Sequence, residues 1–151
     1  MIQKKLIESD YGKALARLGE ISNTEPIEQL EAVMSLEELR ALQQQASAIF
    51  VDATVREYIV QLATATRTNP YIYLGVSPRA SIALMRAAKA YAFIQGRDYV
   101  LPDDVQYLAP FVFSHRVILQ PEARYDGISA EEIMMRVIAS VTVPARGFAA
   151  R

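Results

Sequence analysis

Helix-start signals recur along this chain at short intervals, and they constrain its fold more than any other feature. Ser35 and Ser129 each stand three residues before a glutamate, which is the S-x-x-E pattern of a capping box. Asp52 and Pro102 open two further segments. Between these signals the apolar residues recur at helical spacing. The sequence therefore predicts an all-α fold, a small bundle of five to seven helices with short connectors.

Composition excludes several functional classes. The 151 residues are 52% hydrophobic and 22% charged, which is typical of a globular domain. A net charge of −1 provides no overall attraction to nucleic acid, and the absence of cysteine excludes disulfides and thiolate metal sites. His115 is the single histidine, and we interpret it as a packing or hydrogen-bonding residue. We expect a cytoplasmic protein with no bound metal, no membrane partner and no nucleic-acid partner.

One helix start carries a candidate anion site. The segment Gly75–Ala80 precedes a long Ala- and Leu-rich stretch that ends at Gly96. Ser77 is the predicted N-cap, and Pro78 occupies the first helical position, where a missing N–H costs nothing. Arg79 then lies in the first turn, where unpaired N–H groups and the helix dipole favour an anion. Its planar guanidinium suits phosphate oxygens.

Three cations share one edge of this predicted helix. At 100° per residue, Arg79, Arg86 and Lys89 fall on the same side, together with Ile82 and Phe93. One interpretation is phosphate recognition by Arg79, with Arg86 available for a second anion. The other is that these cations pair with acidic residues on neighbouring helices, or cover apolar surface with their stems. From the residues alone, both interpretations stand.

Three other segments carry local expectations. Tyr71–Leu74 is predicted to be an extended connector rather than a strand of a sheet. Pro110 is expected to end or kink its helix, with a second short helix over Phe111–Val117. Asp103 and Asp104 are interpreted as complements to the dipole at a helix start.

Several short motifs occur in one order with tight spacing, and together they resemble the helical lid of MoxR-type AAA+ ATPases. The resemblance covers about Ser35–Leu119, and each motif alone is weak. The motifs are Ala65-Thr66-Arg67, Ser77-Pro78-Arg79-Ala80, Arg86-Ala87-Ala88-Lys89-Ala90, Gly96-Arg97-Asp98-Tyr99-Val100, Pro102-Asp103-Asp104-Val105 and His115-Arg116-Val117-Ile118-Leu119.

The resemblance implies a role in nucleotide sensing. In such ATPases the lid closes over a nucleotide held by an α/β core, and its "sensor 2" arginine contacts the γ-phosphate. By its place in the motif that residue is Arg79, the one catalytic candidate, and Ser77, Pro78 and Arg86 are candidate cofactor-binding residues beside it. The implied cofactor is ATP, with Mg²⁺ held by the core. The sequence contains no G-x-x-x-x-G-K-[ST], so we expect no ATP hydrolysis and no tight nucleotide binding by this chain alone.

The resemblance also implies partners and domain bounds. The expected partners are an N-terminal AAA+ core, further copies in a homo-oligomeric ring, and a client or von Willebrand A-type protein. We predict a connector at 1–34 with a helix at Gln3–Leu18, the lid at 35–125, and a C-terminal helix and tail at 126–151. The alternative is a stand-alone helical interaction domain that presents its basic helix face to an acidic protein partner or to DNA.

Overall fold

A computed structural model describes residues 33–144. Six α-helices dominate this range, with a short 3₁₀ helix and one small sheet, so the predicted all-α bundle is confirmed. The predicted helix at Gln3–Leu18, nearly all of the 1–34 connector and the tail from Ala145 lie outside the described residues. In chain order the elements are α1 (Leu36–Ala48), α2 (Ala53–Thr68), β1 (Ile72–Leu74), α3 (Pro78–Ile94), α4 (Pro102–Phe113), the 3₁₀ helix (Ser114–Arg116), β2 (Ile118–Leu119), α5 (Pro121–Tyr125) and α6 (Ala130–Ser140).

The predicted caps form at the helix starts. At α1 the Glu38 N–H donates to the Ser35 hydroxyl at 3.2 Å, and the Glu38 carboxylate accepts from the Ser35 N–H at 2.7 Å. Ser129 and Glu132 make the same reciprocal pair at α6, at 3.1 and 2.9 Å. Asp52 accepts from the Thr54 N–H at 2.8 Å and so caps α2. Each cap supplies an acceptor for an N–H group that the helix itself leaves unpaired.

The chain divides into two units between Leu39 and Arg40, and the described part of the second unit contains the hydrophobic core. Helix α3 contributes Ala80, Leu84, Ala88 and Ala92, which are four residues apart and line one face. Because three of them are alanines, a neighbouring helix can approach closely, and α3 packs most extensively against α4. The other large buried side chains include Tyr58 and Leu62 of α2, Phe113 of α4, and Ile133, Met134 and Val137 of α6.

The segment predicted to be a connector is a strand. Ile72–Leu74 pairs with Ile118–Leu119 in an antiparallel two-stranded sheet, with Ile72 opposite Leu119. The prediction was wrong because the partner strand lies far along the chain, and local sequence carries no signal for such a pairing. This strand places the residues that follow it, which lead into α3.

Pro110 does not end its helix. Helix α4 continues through it to Phe113, and Ser114–Arg116 then form a 3₁₀ helix in place of the expected short α-helix. Proline removes one helical N–H donor, but Ala109 and Phe113 on either side are fully buried. Their packing sustains the helical path, as tertiary contacts routinely override local preference.

An ion pair closes the connection between α3 and α4. Gly96, at φ 71°, ends α3 as predicted. The Arg97 guanidinium then donates two hydrogen bonds to the Asp104 carboxylate, at 2.8 and 2.7 Å. Asp104 also accepts from the Leu101 N–H at 2.8 Å, and it is only 5% exposed. Asp104 therefore lies in the first turn of α4, as the interpretation as a dipole complement requires, and it is also the buried partner of Arg97.

Candidate functional site

The candidate site is the turn that leads into α3. Ser77 is the N-cap residue with extended backbone, and Pro78 is the first helical residue, both as predicted. The Ser77 side chain, however, makes no capping hydrogen bond. The predicted side-chain cap is therefore absent, and other contacts must hold this helix start.

The first turn of α3 offers fewer N–H donors than a helix start ordinarily does. Pro78 has none, and the Ala80 and Ser81 N–H groups both approach the Ser77 carbonyl, at 2.9 and 3.4 Å. The Arg79 N–H remains without a partner within residues 33–144. An anion at this position would therefore depend on the Arg79 side chain more than on a cradle of backbone amides.

The three cations of the predicted basic stripe have different surroundings in the structure. Arg79 and Arg86 are both exposed, and neither forms a hydrogen bond or ion pair in the part of the chain that is described. Lys89 is half-buried, and its ammonium group donates to the Ser47 carbonyl at 2.7 Å, near the end of α1. Lys89 thus satisfies a carbonyl of the last turn of α1. Within residues 33–144, Arg79 and Arg86 are therefore the members of the stripe without a partner.

The chemistry of the α3 edge fits a phosphate group. The guanidinium groups of Arg79 and Arg86, which have no partner in the described range, can each donate to phosphate oxygens. Among the described residues, no group of three or more His, Cys, Asp or Glu side chains lies close enough to hold a metal. The assignment of Ser77, Pro78, Arg79 and Arg86 to nucleotide binding stays a prediction.

Two residues of α2 contact this turn, and sequence reasoning did not assign them to it. The Thr66 hydroxyl accepts from the Val76 N–H at 3.1 Å. The Arg67 guanidinium donates to the Val76 carbonyl from two nitrogens, at 3.3 and 3.2 Å. Both belong to the Ala65-Thr66-Arg67 motif. Their place in this motif was the one sequence signal for a role near the site, because the local sequence does not indicate which backbone groups their side chains contact.

Other features of the described surface do not involve the predicted site residues. A groove of about 640 Å³ lies beside the two-stranded sheet and is lined by Tyr73, Ile118, Leu119, Gln120, Pro121 and Tyr125. His115 is exposed and accepts a hydrogen bond from Arg116 at 3.0 Å, which agrees with a hydrogen-bonding role. No described helix has the length and apolar character needed to cross a bilayer.

Comparison with known families places a defined domain on this architecture. The family model described as AAA lid domain matches residues 64–137, from the last turns of α2 into α6. The match includes the turn before α3, Arg79, Arg86 and the Arg97–Asp104 pair.

Relatives in sequence and structure extend over more of the chain. The uncharacterized protein YeaC of Bacillus subtilis is 49% identical over 126 residues, which are 83% of this chain and 39% of that protein. Chaperone MoxR1 of Mycobacterium tuberculosis is 35% identical over 77% of this chain and 33% of its own length. A solved structure from Cytophaga hutchinsonii, described as a "putative ATPase", superposes with a TM-score of 0.73 at 30% identity, covering 90% of this chain and 44% of its own. The chain therefore spans between a third and a half of the length of these proteins.

Proposed function

Because this chain belongs to the MoxR family of AAA+ ATPases and carries their helical lid domain, we propose that it serves as the nucleotide-sensing lid of such an enzyme. Arg79 is the residue that contacts the γ-phosphate of ATP. The observation that carries the proposal is the state of its side chain, which is exposed at a helix start and has no partner among residues 33–144. Arg97 and Arg67, by contrast, bond to a carboxylate and a carbonyl. The first-turn position of Arg79 in α3 separates it from exposed arginines within a helix, such as Arg136.

Arg86 supplies a second contact in this proposal. It lies two turns after Arg79 on the same edge of α3 and is likewise exposed and unpaired within the described range. It serves another phosphate oxygen or a carboxylate of the nucleotide-binding core. Ser77 and Pro78 contribute their backbone rather than their side chains, since they set the point at which α3 begins.

The coupling between nucleotide and lid follows from the strength of this contact. A hydrogen bond to a charged group contributes about 1.5–3 kcal/mol. Loss of the γ-phosphate on hydrolysis removes that contribution, which changes the ratio of closed to open lid by about tenfold to a hundredfold. Helix α3 transmits the change, because its buried alanine face packs on α4 and the Arg97–Asp104 pair ties the two helices together.

ATP hydrolysis requires groups that the lid does not supply. We propose that an AAA+ core holds ATP and Mg²⁺, that the whole protein acts as a homo-oligomeric ring, and that it remodels a client or acts with a von Willebrand A-type partner. Phosphoryl transfer requires a cradle for the phosphates and a positioned water. The lid adds the charge-assisted contacts of Arg79 and Arg86 and holds the helix that carries both residues.

The proposal is tested in the protein that joins this lid to its nucleotide-binding core. Arg79→Ala should slow ATP hydrolysis tenfold or more, because the mutation removes a contact worth about 1.5–3 kcal/mol. The matched control is Arg136→Ala on α6, which also removes an exposed helical arginine with no partner among the described residues. Unchanged turnover in Arg79→Ala, or an equal loss in both variants, would remove Arg79 from the active site.

A further inference from the structure

The turn before α3 is held by the neighbouring helix rather than by its own residues. Val76 is 1% exposed, and both of its backbone polar groups bond to the last turn of α2. Its N–H donates to the Thr66 hydroxyl at 3.1 Å, and its carbonyl accepts from two nitrogens of Arg67. The Thr66 hydroxyl in turn donates to the Ala63 carbonyl at 2.6 Å. Its proton is therefore committed, and its oxygen is oriented to accept from Val76.

Gly75, the residue before Val76, allows the chain to pass close to α2. A Cβ added at Gly75 would lie 2.7 Å from the Arg67 Cγ, 2.8 Å from the Thr66 Oγ1 and 2.9 Å from the Arg67 backbone nitrogen. These distances are below ordinary van der Waals contact. Only glycine permits the strand end to approach α2 closely enough for both hydrogen bonds to form.

We propose that Thr66, Arg67 and Gly75 are positioning residues that aim Arg79 at its phosphate. This inference rests on the proposed function. Only Ser77 and Pro78 separate Val76 from Arg79, and both have restricted backbone dihedral angles. Ser77 is extended at φ −79° and ψ 162°, and the ring of Pro78 restricts its own φ. Fixing Val76 therefore fixes the start of α3 and the origin of the Arg79 side chain.

The missing side-chain cap makes this arrangement necessary. The Ser77 side chain makes no capping hydrogen bond, so the start of α3 lacks the local side-chain cap that Ser35 and Ser129 give to their helices. Hydrogen bonds from α2 hold this helix start instead. A preorganised donor loses less conformational freedom on binding its phosphate, which is how a remote residue affects turnover.

The first experiment measures ATP hydrolysis in the protein that joins this lid to its core. Arg67→Ala should lower kcat about threefold to tenfold, the range expected for loss of one hydrogen-bonding group. Arg67→Lys should recover part of the rate, because one ammonium donor can still reach the carbonyl. Arg56→Ala is the matched control, since it removes an exposed arginine from the same helix without touching the turn. A wild-type rate in Arg67→Ala would overturn the inference.

A double variant separates positioning from general damage. If Arg67 acts through Arg79, adding Arg67→Ala to Arg79→Ala should cause no further loss of kcat. Multiplied losses in the double variant would overturn the positioning role. Unchanged turnover in Arg79→Ala itself would refute the proposed function instead, so the two failures are distinguishable.

Amide hydrogen exchange tests the arrangement without reference to activity. Thr66→Val keeps the shape of the side chain but removes the acceptor for the Val76 N–H, whereas Thr66→Ser retains it. Faster exchange at Val76 and in the first turn of α3 is expected for Thr66→Val alone. Equal exchange in Thr66→Val and the unmodified protein would show that the Thr66 hydroxyl does not hold this turn and would overturn the positioning role of Thr66, even if Arg79→Ala impairs hydrolysis.

Discussion

Gly75→Ala gives the sharpest test of how closely α2 and the turn before α3 approach each other. The added methyl group would meet three atoms at 2.7–2.9 Å, and none is the mobile end of a long side chain. Forcing a methyl group into such a site costs about 1–3 kcal/mol. Replacing glycine by alanine also restricts the unfolded chain, which stabilises a protein by about 0.4–1 kcal/mol. The steric cost is larger, so we expect a net destabilisation of about 1–2 kcal/mol.

Urea unfolding of the chain measures this loss, and Gly96→Ala is the matched comparison. Gly96 has open space around it, with no atom within 4 Å of an added Cβ, but its φ is +71°. Alanine there costs about 1–2 kcal/mol because of backbone strain, and the same restriction of the unfolded chain, about 0.4–1 kcal/mol, offsets part of that cost. The two variants should therefore lose similar stability for different reasons. In the protein with its core, only Gly75→Ala should also slow ATP hydrolysis, since only Gly75 adjoins the turn that leads to Arg79.

Two results would refute this reasoning. If Gly75→Ala is neutral or more stable, the close approach to α2 does not constrain the turn. If Gly75→Ala and Gly96→Ala lose the same stability and the same turnover, the effect on hydrolysis reflects general destabilisation, and the link from Gly75 to Arg79 is wrong.

Three further predictions concern stability and activity. Asp104→Ala should destabilise the chain by about 3 kcal/mol in urea unfolding, because the Arg97 guanidinium and the Leu101 N–H lose their acceptor. A loss of less than about 1 kcal/mol would contradict a buried ion pair. Hydrogen bonds from the Thr54 side chain and backbone lower the pKa of the Asp52 carboxyl, so its contribution to stability is present above its ordinary pKa and disappears as the pH falls through the lowered value. Asp52→Asn should weaken the loss of stability that begins as the pH falls below about 4, the ordinary carboxyl pKa, and an identical pH dependence in both proteins would count against this cap. The purified chain alone should show no ATP turnover in a phosphate-release assay, and turnover that survives Arg79→Ala would contradict the assignment as a lid.

The sequence predicted those features whose donors and acceptors are close in the chain. The capping boxes at Ser35 and Ser129 need partners only three residues away, and both formed as expected. The end of α3 at Gly96 followed from the ability of glycine to adopt positive φ. The placement of Arg79 in a first turn required only Ser77 and Pro78 ahead of it.

Apart from the absent side-chain cap at Ser77, the errors and omissions involve partners that are distant in the chain or packing that local rules ignore. The strand at Ile72–Leu74 pairs with Ile118–Leu119, and α4 continues past Pro110 because its flanking residues are buried. Lys89 shares a helix edge with Arg79, yet it bonds to a carbonyl of α1. Periodicity gives the face on which a side chain lies, but not the group that it meets there.

For the candidate site, the sequence by itself determined which residue types stand at the start of α3, and the ordered motifs indicated the family. Only the tertiary structure distinguished an arginine that holds the protein together from one that remains available. Arg67 and Arg79 are both exposed helical arginines, but Arg67 bonds to Val76 whereas Arg79 has no partner in the described range. The reason is physical: a hydrogen bond between residues distant in the chain depends on where folding places both groups, which no local pattern encodes.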